Sequence, residues 1–276
     1  MAAAPLLDDR QPLATLAWPR SEAAARAMPA LPLDFVRCVD CGHVYNRAFS
    51  YDAVPYGDQP NRMFNAGVGW SGFVRRLVGR ALDGLPEAPT VVEIGYGDGH
   101  FLAALAAARP GGRYVGFDPH GAQAADDALE LRAALFEPAS HLPELRPDLI
   151  VARHVLEHLE SPLALLQRVE AAAVAHDLRP LGLLEVPCVD RLWATGRTVD
   201  LFYEHVSHFT TASFGRMLAR SGAEVMAVEH GYDGEVVFGL ARFGVSSQQR
   251  DHAAEAAAWR AAAAAALPTI RAQLDE

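Results

Sequence analysis

Residues 90–105, Thr-Val-Val-Glu-Ile-Gly-Tyr-Gly-Asp-Gly-His-Phe-Leu-Ala-Ala-Leu, constrain the fold of this chain more than any other stretch. Thr90 to Ile94 is a short apolar run rich in β-branched residues, as expected of a strand buried on both faces of a parallel sheet. Gly95, Gly97 and Gly99 follow at alternate positions, and Phe101, Leu102 and Leu105 then recur at helical spacing. The pattern predicts strand, glycine turn and helix. Glycine lets such a turn take φ values that other residues resist and lets its backbone approach a ligand closely. The helix that follows points unpaired N–H groups at whatever sits there. The third glycine comes one residue earlier than in the dinucleotide fingerprint G-x-G-x-x-G, which counts against a nicotinamide cofactor. Glu93 adds an acid at the strand end.

Arg113-Tyr-Val-Gly-Phe-Asp118 reads as the next strand. It ends in a carboxylate roughly 20 residues after the turn, where α/β cofactor domains bond ribose hydroxyls. Pro119 leaves open that Asp118 caps a helix instead. Leu131–Phe136, Asp148–Ala152 and Leu181–Val186 supply three further strands, with a helix over Pro162–Val174. The fourth strand runs into Arg153-His-Val-Leu-Glu-His158. Ligands bind at the carboxyl ends of strands in such sheets. Arg153 and His154 are therefore expected to face cofactor or substrate, and Glu157 and His158 the mouth, with a packing role as the alternative for His158. Ala223–Glu229 and Glu235–Arg242 read as a terminal antiparallel pair around Gly231-Tyr-Asp-Gly234.

A second stretch, Asp200-Leu-Phe-Tyr-Glu-His-Val-Ser-His-Phe-Thr-Thr211, joins the fifth strand to a helix over Thr211–Ser221. It crowds Tyr203, Glu204, His205 and His208 onto one loop at the carboxyl edge, where chemistry is more common than packing. A histidine beside a carboxylate suits a general base, and Tyr203 suits donation to a developing oxyanion. His205 with His208 also suits a metal ion, and a structural role is the remaining alternative.

Residues 1–60 form an expected annex, 61–245 the sheet domain and 246–276 a helical tail. The first 33 residues show little periodicity beyond a helix over Ser21–Met28, capped by Ser21. Cys38-x-x-Cys41-Gly42 has the shape of half a zinc knuckle, with His43 nearby; a turn of two reduced cysteines is the alternative. Tyr51 and Tyr56 lie in an aromatic connector suited to roof a substrate pocket or to pack. A helix is expected over Asn61–Leu82 and another, rich in alanine, over Asp251–Leu267.

The formal net charge of −10 argues against a nucleic-acid partner, which needs a basic footprint. Three cysteines, Cys38, Cys41 and Cys188, make no disulfide framework and fit a reducing cytosol. The N-terminus lacks the basic and apolar regions of a signal peptide, and no run is long enough to span a membrane. A cytoplasmic protein acting on a small molecule is expected, with no membrane partner.

Several segments together resemble one branch of the class I S-adenosylmethionine (SAM) methyltransferases, that of the bacterial sugar C-methyltransferases. They are Cys38-Val-Asp-Cys-Gly-His-Val-Tyr-Asn46, Val92-Glu-Ile-Gly-Tyr-Gly-Asp-Gly-His-Phe101, Val115-Gly-Phe-Asp118, Arg153-His-Val-Leu-Glu-His158, Glu185-Val-Pro187 and Tyr203-Glu-His-Val-Ser-His-Phe-Thr210. The resemblance implies an α/β, Rossmann-like sheet of seven strands with a small N-terminal annex and a C-terminal helix. It implies SAM held by Glu93, Gly95, Tyr96, Gly97, Gly99, Asp118, Pro119, Arg153 and His154. Catalysis would fall to Tyr203, Glu204, His205 and His208, substrate contacts to Tyr56 and His158, and zinc to Cys38 and Cys41. The chain departs from the branch in three ways: it lacks the first cysteine pair of the knuckle, it carries His208 where an aromatic hydroxyl is usual, and it has no carboxyl-terminal domain after Glu276. The expected acceptor is a carbon beside a ketone of a sugar, nucleotide-linked or not, or of a natural-product intermediate. Oxygen or nitrogen methylation of a small natural product, and a non-catalytic SAM-fold binding protein, are the alternatives.

Overall fold

The computed structural model describes residues 3–13, 19, 21–54, 66–121, 128–196, 201, 203–245, 261, 262 and 264. Tyr56, the start of the helix expected from Asn61 and nearly all of the tail lie outside the described residues.

The first element overturns the expectation of little structure. β1 (Ala3–Pro12) pairs antiparallel with β2 (Ala30–Cys38), from Ala3 opposite Cys38 to Pro12 opposite Ala30. Between them lies α1 (Glu22–Arg26), capped as expected by Ser21 Oγ, which accepts from the Ala24 N–H at 3.2 Å. β2 turns at Cys38-Val-Asp-Cys-Gly42 into β3 (Val44–Asn46), with Gly42 in the left-handed region at φ 73°.

The main sheet follows. Its parallel strands are β4 (Thr90–Ile94), β5 (Arg113–Phe117), β6 (Leu129–Arg132), β7 (Leu149–Arg153) and β8 (Leu181–Pro187). After β9 (Ser207–His208), the hairpin β10 (Glu224–Gly231) and β11 (Val236–Arg242) completes it, β11 lying antiparallel to β8. The order β10-β11-β8-β7-β4-β5-β6 is the expected Rossmann-like sheet of seven strands. β6 begins and ends earlier than the expected Leu131–Phe136, because β5 stops opposite Arg132.

Alternation along each strand sorts the side chains between two cores. Val91, Leu149 and Leu181 meet α2 (Gly67–Leu82) and α3 (His100–Ala108) through Trp70, Phe73, Leu77, Phe101 and Leu105. Val92, Ile150 and Val186 meet α4 (Pro138–Leu145), α5 (Pro162–Ala175) and, past the short α6 (Leu192–Thr195), α7 (Thr211–Arg220), through Leu142, Leu165, Val169, Phe214 and Leu218. A one-residue slip would exchange the two sets, so the register is strongly specified.

The loop after β8 is not free. β9 pairs with β3, Ser207 opposite Tyr45 and His208 opposite Val44, and becomes the fourth strand of the annex sheet β1-β2-β3-β9. The annex is therefore not confined to residues 1–60. Tyr203 is 2% exposed in the annex core with Leu33, Phe35, Val44 and Val54. Its hydroxyl accepts from the Ser50 N–H at 2.9 Å and donates to the Ala48 carbonyl at 3.4 Å. This corrects the expected oxyanion role, since the hydroxyl is engaged by annex backbone. Tyr203→Phe is expected to lower stability by about 1 kcal/mol, the worth of one such bond, with S-adenosylhomocysteine (SAH) affinity unchanged. A calorimetric melt paired with a titration checks this; unchanged melting with lost methyl transfer would return the hydroxyl to the chemistry.

Candidate active site

β4 has β5 on one side and β7 on the other, so the chain reverses its direction of progress across the sheet at the β4–β7 boundary. The carboxyl ends at such a boundary open a crevice, and a cleft of about 1360 Å³ lies there. Gly95, Gly97 and Gly99 all have positive φ, at 70°, 56° and 75°. Gly95 has a second constraint: a Cβ there would lie 2.3 Å from Val155 Cγ2 on the loop after β7. The glycine turn and the β7 loop thus close on each other only because Gly95 has no side chain.

Asp118 sits on the cleft wall at the end of β5. Its Oδ2 accepts from the Gly97 N–H at 2.9 Å and its Oδ1 from the His120 N–H at 2.8 Å. Both oxygens keep a lone pair for a ligand hydroxyl. The described residues that follow, Pro119–Gly121, form no helix, so Asp118 does not cap one there. Tyr96 lines the same wall, its ring packed where a Cβ on Gly116 or Gly121 would stand at 2.7 or 2.4 Å. Pro119, Ala134, Leu135 and Phe136 continue the wall beyond Asp118.

The floor carries four buried or partly buried ionisable groups. Arg153 donates to Glu185 Oε1 through Nη2 at 2.7 Å and Nε at 3.1 Å, the two residues being register partners on β7 and β8. Its guanidinium lies 4.3 Å from the Phe101 ring centroid. His154, at φ 53°, places Nε2 3.0 Å from the same Glu185 oxygen and Nδ1 3.4 Å from Glu157. Burial works against its charge, yet the facing Glu157 and Glu185 carboxylates raise its pKa to about 9. Glu93 is 3% exposed, and its Oε2 has no hydrogen-bond partner among the described residues. Burial pushes its pKa up to about 8 against the opposing pull of Arg153.

The roof comes from the β7 loop, the annex and the turn before β9. Leu156–His158 is a 3₁₀ turn, and Tyr51 of the annex donates its hydroxyl to the His158 carbonyl. His158 Nδ1 lies 2.9 Å from the Glu204 carbonyl, which can only accept, so this nitrogen carries the proton. Its ring meets His205 edge to face at 4.8 Å. His205 lines the cleft, and its pKa falls well below the usual value through burial and then repulsion from His158, His208 and His154. Glu204 is fully buried behind it. His208 is 3% exposed, with its ring edge-on to Phe35 at 4.5 Å in the annex. The structure thus brings His205 and His158 into the cleft, and of the loop's four groups only His205 lines it.

Cys38 and Cys41 lie outside the cleft. The Cys38 thiol is lowered by hydrogen bonds from the Cys41 and then the Asp40 backbone N–H, the polarity a half-knuckle needs. His43 is turned away, with Nε2 3.1 Å from Ser207 Oγ. Among the described residues, the groups of three ligand types that come together contain neither cysteine.

A family model described as a methyltransferase domain matches residues 69–228. The chain belongs to this methyltransferase-domain family. Comparison with the curated proteins finds no match. Among solved structures it is similar to human N-acetylserotonin methyltransferase in complex with SAM (18% identity, TM-score 0.48), covering 62% of this chain and 52% of that one. It is also similar to CalO1, a methyltransferase in calicheamicin biosynthesis (16% identity, TM-score 0.47, covering 62% and 54%), and to mitomycin 7-O-methyltransferase MmcR (22% identity, TM-score 0.46, covering 63% and 54%). The chain spans about half the length of these proteins. No helix among the described residues of this methyltransferase is long and apolar enough to cross a membrane.

Trp70, Glu185 and Phe136 also shape this methyltransferase's cleft, and sequence reasoning gave them no role. Glu185 carried a legible signal: an acid inside the apolar run Leu181–Val186, beside a strand ending in Arg153-His154. Glu93 yields a pH prediction. Between about pH 4.5 and 8 the folded chain keeps a proton on Glu93 that the unfolded chain releases. Stability contributed at this group therefore falls as pH rises through that window and levels off above it. The melting temperature of the ligand-free wild type minus that of Glu93→Gln should decline from about pH 5 to 8. A difference constant in pH would show that Glu93 is not held protonated.

Proposed function

We propose that this chain transfers a methyl group from SAM to a small molecule whose reacting atom is weakly acidic, an enolisable carbon beside a ketone or a hydroxyl oxygen. One observation carries the reading. Asp118, pinned by two backbone N–H groups, and the His158–His205 pair line one cleft across the glycine turn. The residues fit the donor. Asp118 would accept from the ribose hydroxyls, Gly95–Gly99 would meet the amino-acid part with open backbone, and the buried Glu93 oxygen without a partner suits an ammonium. Pro119 and Leu135–Phe136 would flank the base.

When bound, SAM supplies an electrophilic methyl on a positively charged sulfur. The chain's own work is alignment, because in-line displacement at carbon tolerates little bending. His205, uncharged at neutral pH, takes the acceptor's proton. His158, its Nδ1–H fixed on the Glu204 carbonyl, presents Nε2 beside it. Arg153 and His154 hold the floor through Glu185 and do not need to touch the methyl. The cleft volume suits the donor together with a small acceptor. Zinc, if the chain carries it at Cys38 and Cys41, stabilises the annex turn and takes no part in transfer.

Titration calorimetry with SAH is expected to give binding that Asp118→Ala weakens at least tenfold, about 1.4 kcal/mol. Absence of binding to the wild type would contradict the donor assignment. With isotope-labelled SAM and a small-metabolite extract, His205→Ala should lose about 10²–10⁴-fold in label transfer while keeping SAH affinity. Near-full transfer by that variant would remove His205 as the base. SAH binding with no transfer to any small molecule would favour a binding-only protein.

A further inference from the structure

Three groups on the acceptor side of the cleft make a donor set that proton transfer does not account for. Glu157, His158 and His205 each offer one ligand atom, and these atoms lie within 4.8 Å of one another. A base needs only one imidazole, yet the cluster adds a second imidazole and a carboxylate. Glu157 is 1% exposed, and neither carboxylate oxygen has a hydrogen bond among the described residues. Its nearest cation, His154 Nδ1, stands 3.4 Å away, longer than a charge-assisted hydrogen bond. With one ion-pair partner and no hydrogen bond of normal length, this buried carboxylate keeps acceptor capacity that a second cation would use.

The orientation of His158 is also that of a ligand. Metal-bound histidines commonly donate their other ring N–H to a backbone carbonyl, which fixes the tautomer. His158 Nδ1 does so to Glu204, which makes Nε2 the atom that a ligand role would use. Two imidazoles and one carboxylate, with a fourth position open to the cleft, are a donor set suited to zinc and neighbouring divalent ions. A tetrahedral ion with bonds of about 2.0–2.1 Å holds its ligand atoms about 3.4 Å apart. Closing the cluster from 4.8 Å to that separation asks for side-chain rotation by an ångström or so. All three residues line the cleft, so an ion has a path in.

We propose that Glu157, His158 and His205 form a binding site for one divalent transition-metal ion. The site stands on its own donor geometry; its consequence rests on the methyl-transfer reading above. An ion bound to His205 occupies the lone pair that would take the acceptor's proton, so the loaded and the transferring states exclude each other.

Cobalt(II) is the probe, titrated into the full chain carrying Cys38→Ser and Cys41→Ser so that those thiolates contribute nothing. The expected result is saturation at one ion per chain, with the intense visible bands of four- or five-coordinate cobalt. Zinc should displace the cobalt. Glu157→Gln and His158→Ala should each weaken cobalt binding at least tenfold. SAH affinity, measured on the same samples, should stay unchanged, which shows that the variants are folded and reports on the donor reading separately. Only the pale spectrum of hydrated cobalt, or equal binding by Glu157→Gln, overturns the site. Cobalt binding without any SAH binding upholds the site and overturns the methyl-transfer reading instead.

Discussion

Arg153 and Glu185 face each other at the carboxyl ends of β7 and β8, with side chains 6% and 0% exposed, and the cleft floor is built on that pair. Burying both charges is costly, and the pair is tolerable because its geometry is good and three bonds converge on one Glu185 oxygen. The guanidinium makes two bonds to one oxygen and lies against Phe101 and Trp70, the contacts a planar cation favours. The same oxygen receives His154, whose backbone N–H also bonds the Glu185 carbonyl. Removing either partner would strand a buried charge, a loss of about 3–5 kcal/mol. The β7 loop that passes over Gly95 starts from this anchor, so the shape of the cleft beside the glycine turn follows from it.

The annex helps to build the cleft. By giving β9 a partner in β3 and Tyr203 a core to pack in, it fixes the turn that carries Glu204 and His205 over the cleft. Tyr51 reaches from the annex to the His158 carbonyl, and Phe49 packs against both Tyr51 and Tyr203. A loop at the edge of a parallel sheet is ordinarily the most mobile part of such a site. Here its end, Ser207–His208, is a strand of the annex sheet and Tyr203 packs in the annex core, which gives the intervening His205 a defined position.

What was legible in the sequence was local. β4, its glycine turn and α3 were readable because strand and helix periods meet at three glycines within a few residues, and Asp118 because it closes the next apolar run. β1 was not legible: its side chains are exposed or partly exposed throughout, so burial imposes no alternation on Ala3–Pro12. β9 was not legible either, being two residues long and paired across the chain with Val44 and Tyr45. The same long-range pairing explains the misplacement of Tyr203. An aromatic beside Glu204 and His205 looks like chemistry until the annex sheet is closed, when it proves to be core. His158 was assigned to the mouth and His205 to a separate loop at the carboxyl edge, and only the fold shows them ring to ring.

The central claim is that the donor's reacting sulfur and the histidine pair face each other across the glycine turn. A crystal structure with SAH bound tests it most directly. The account predicts ribose hydroxyls on the Asp118 carboxylate, the amino-acid end over Gly95–Gly99 near Glu93, and the sulfur directed toward His158 and His205. A ligand seated elsewhere, or with its sulfur directed away from both histidines, would contradict it.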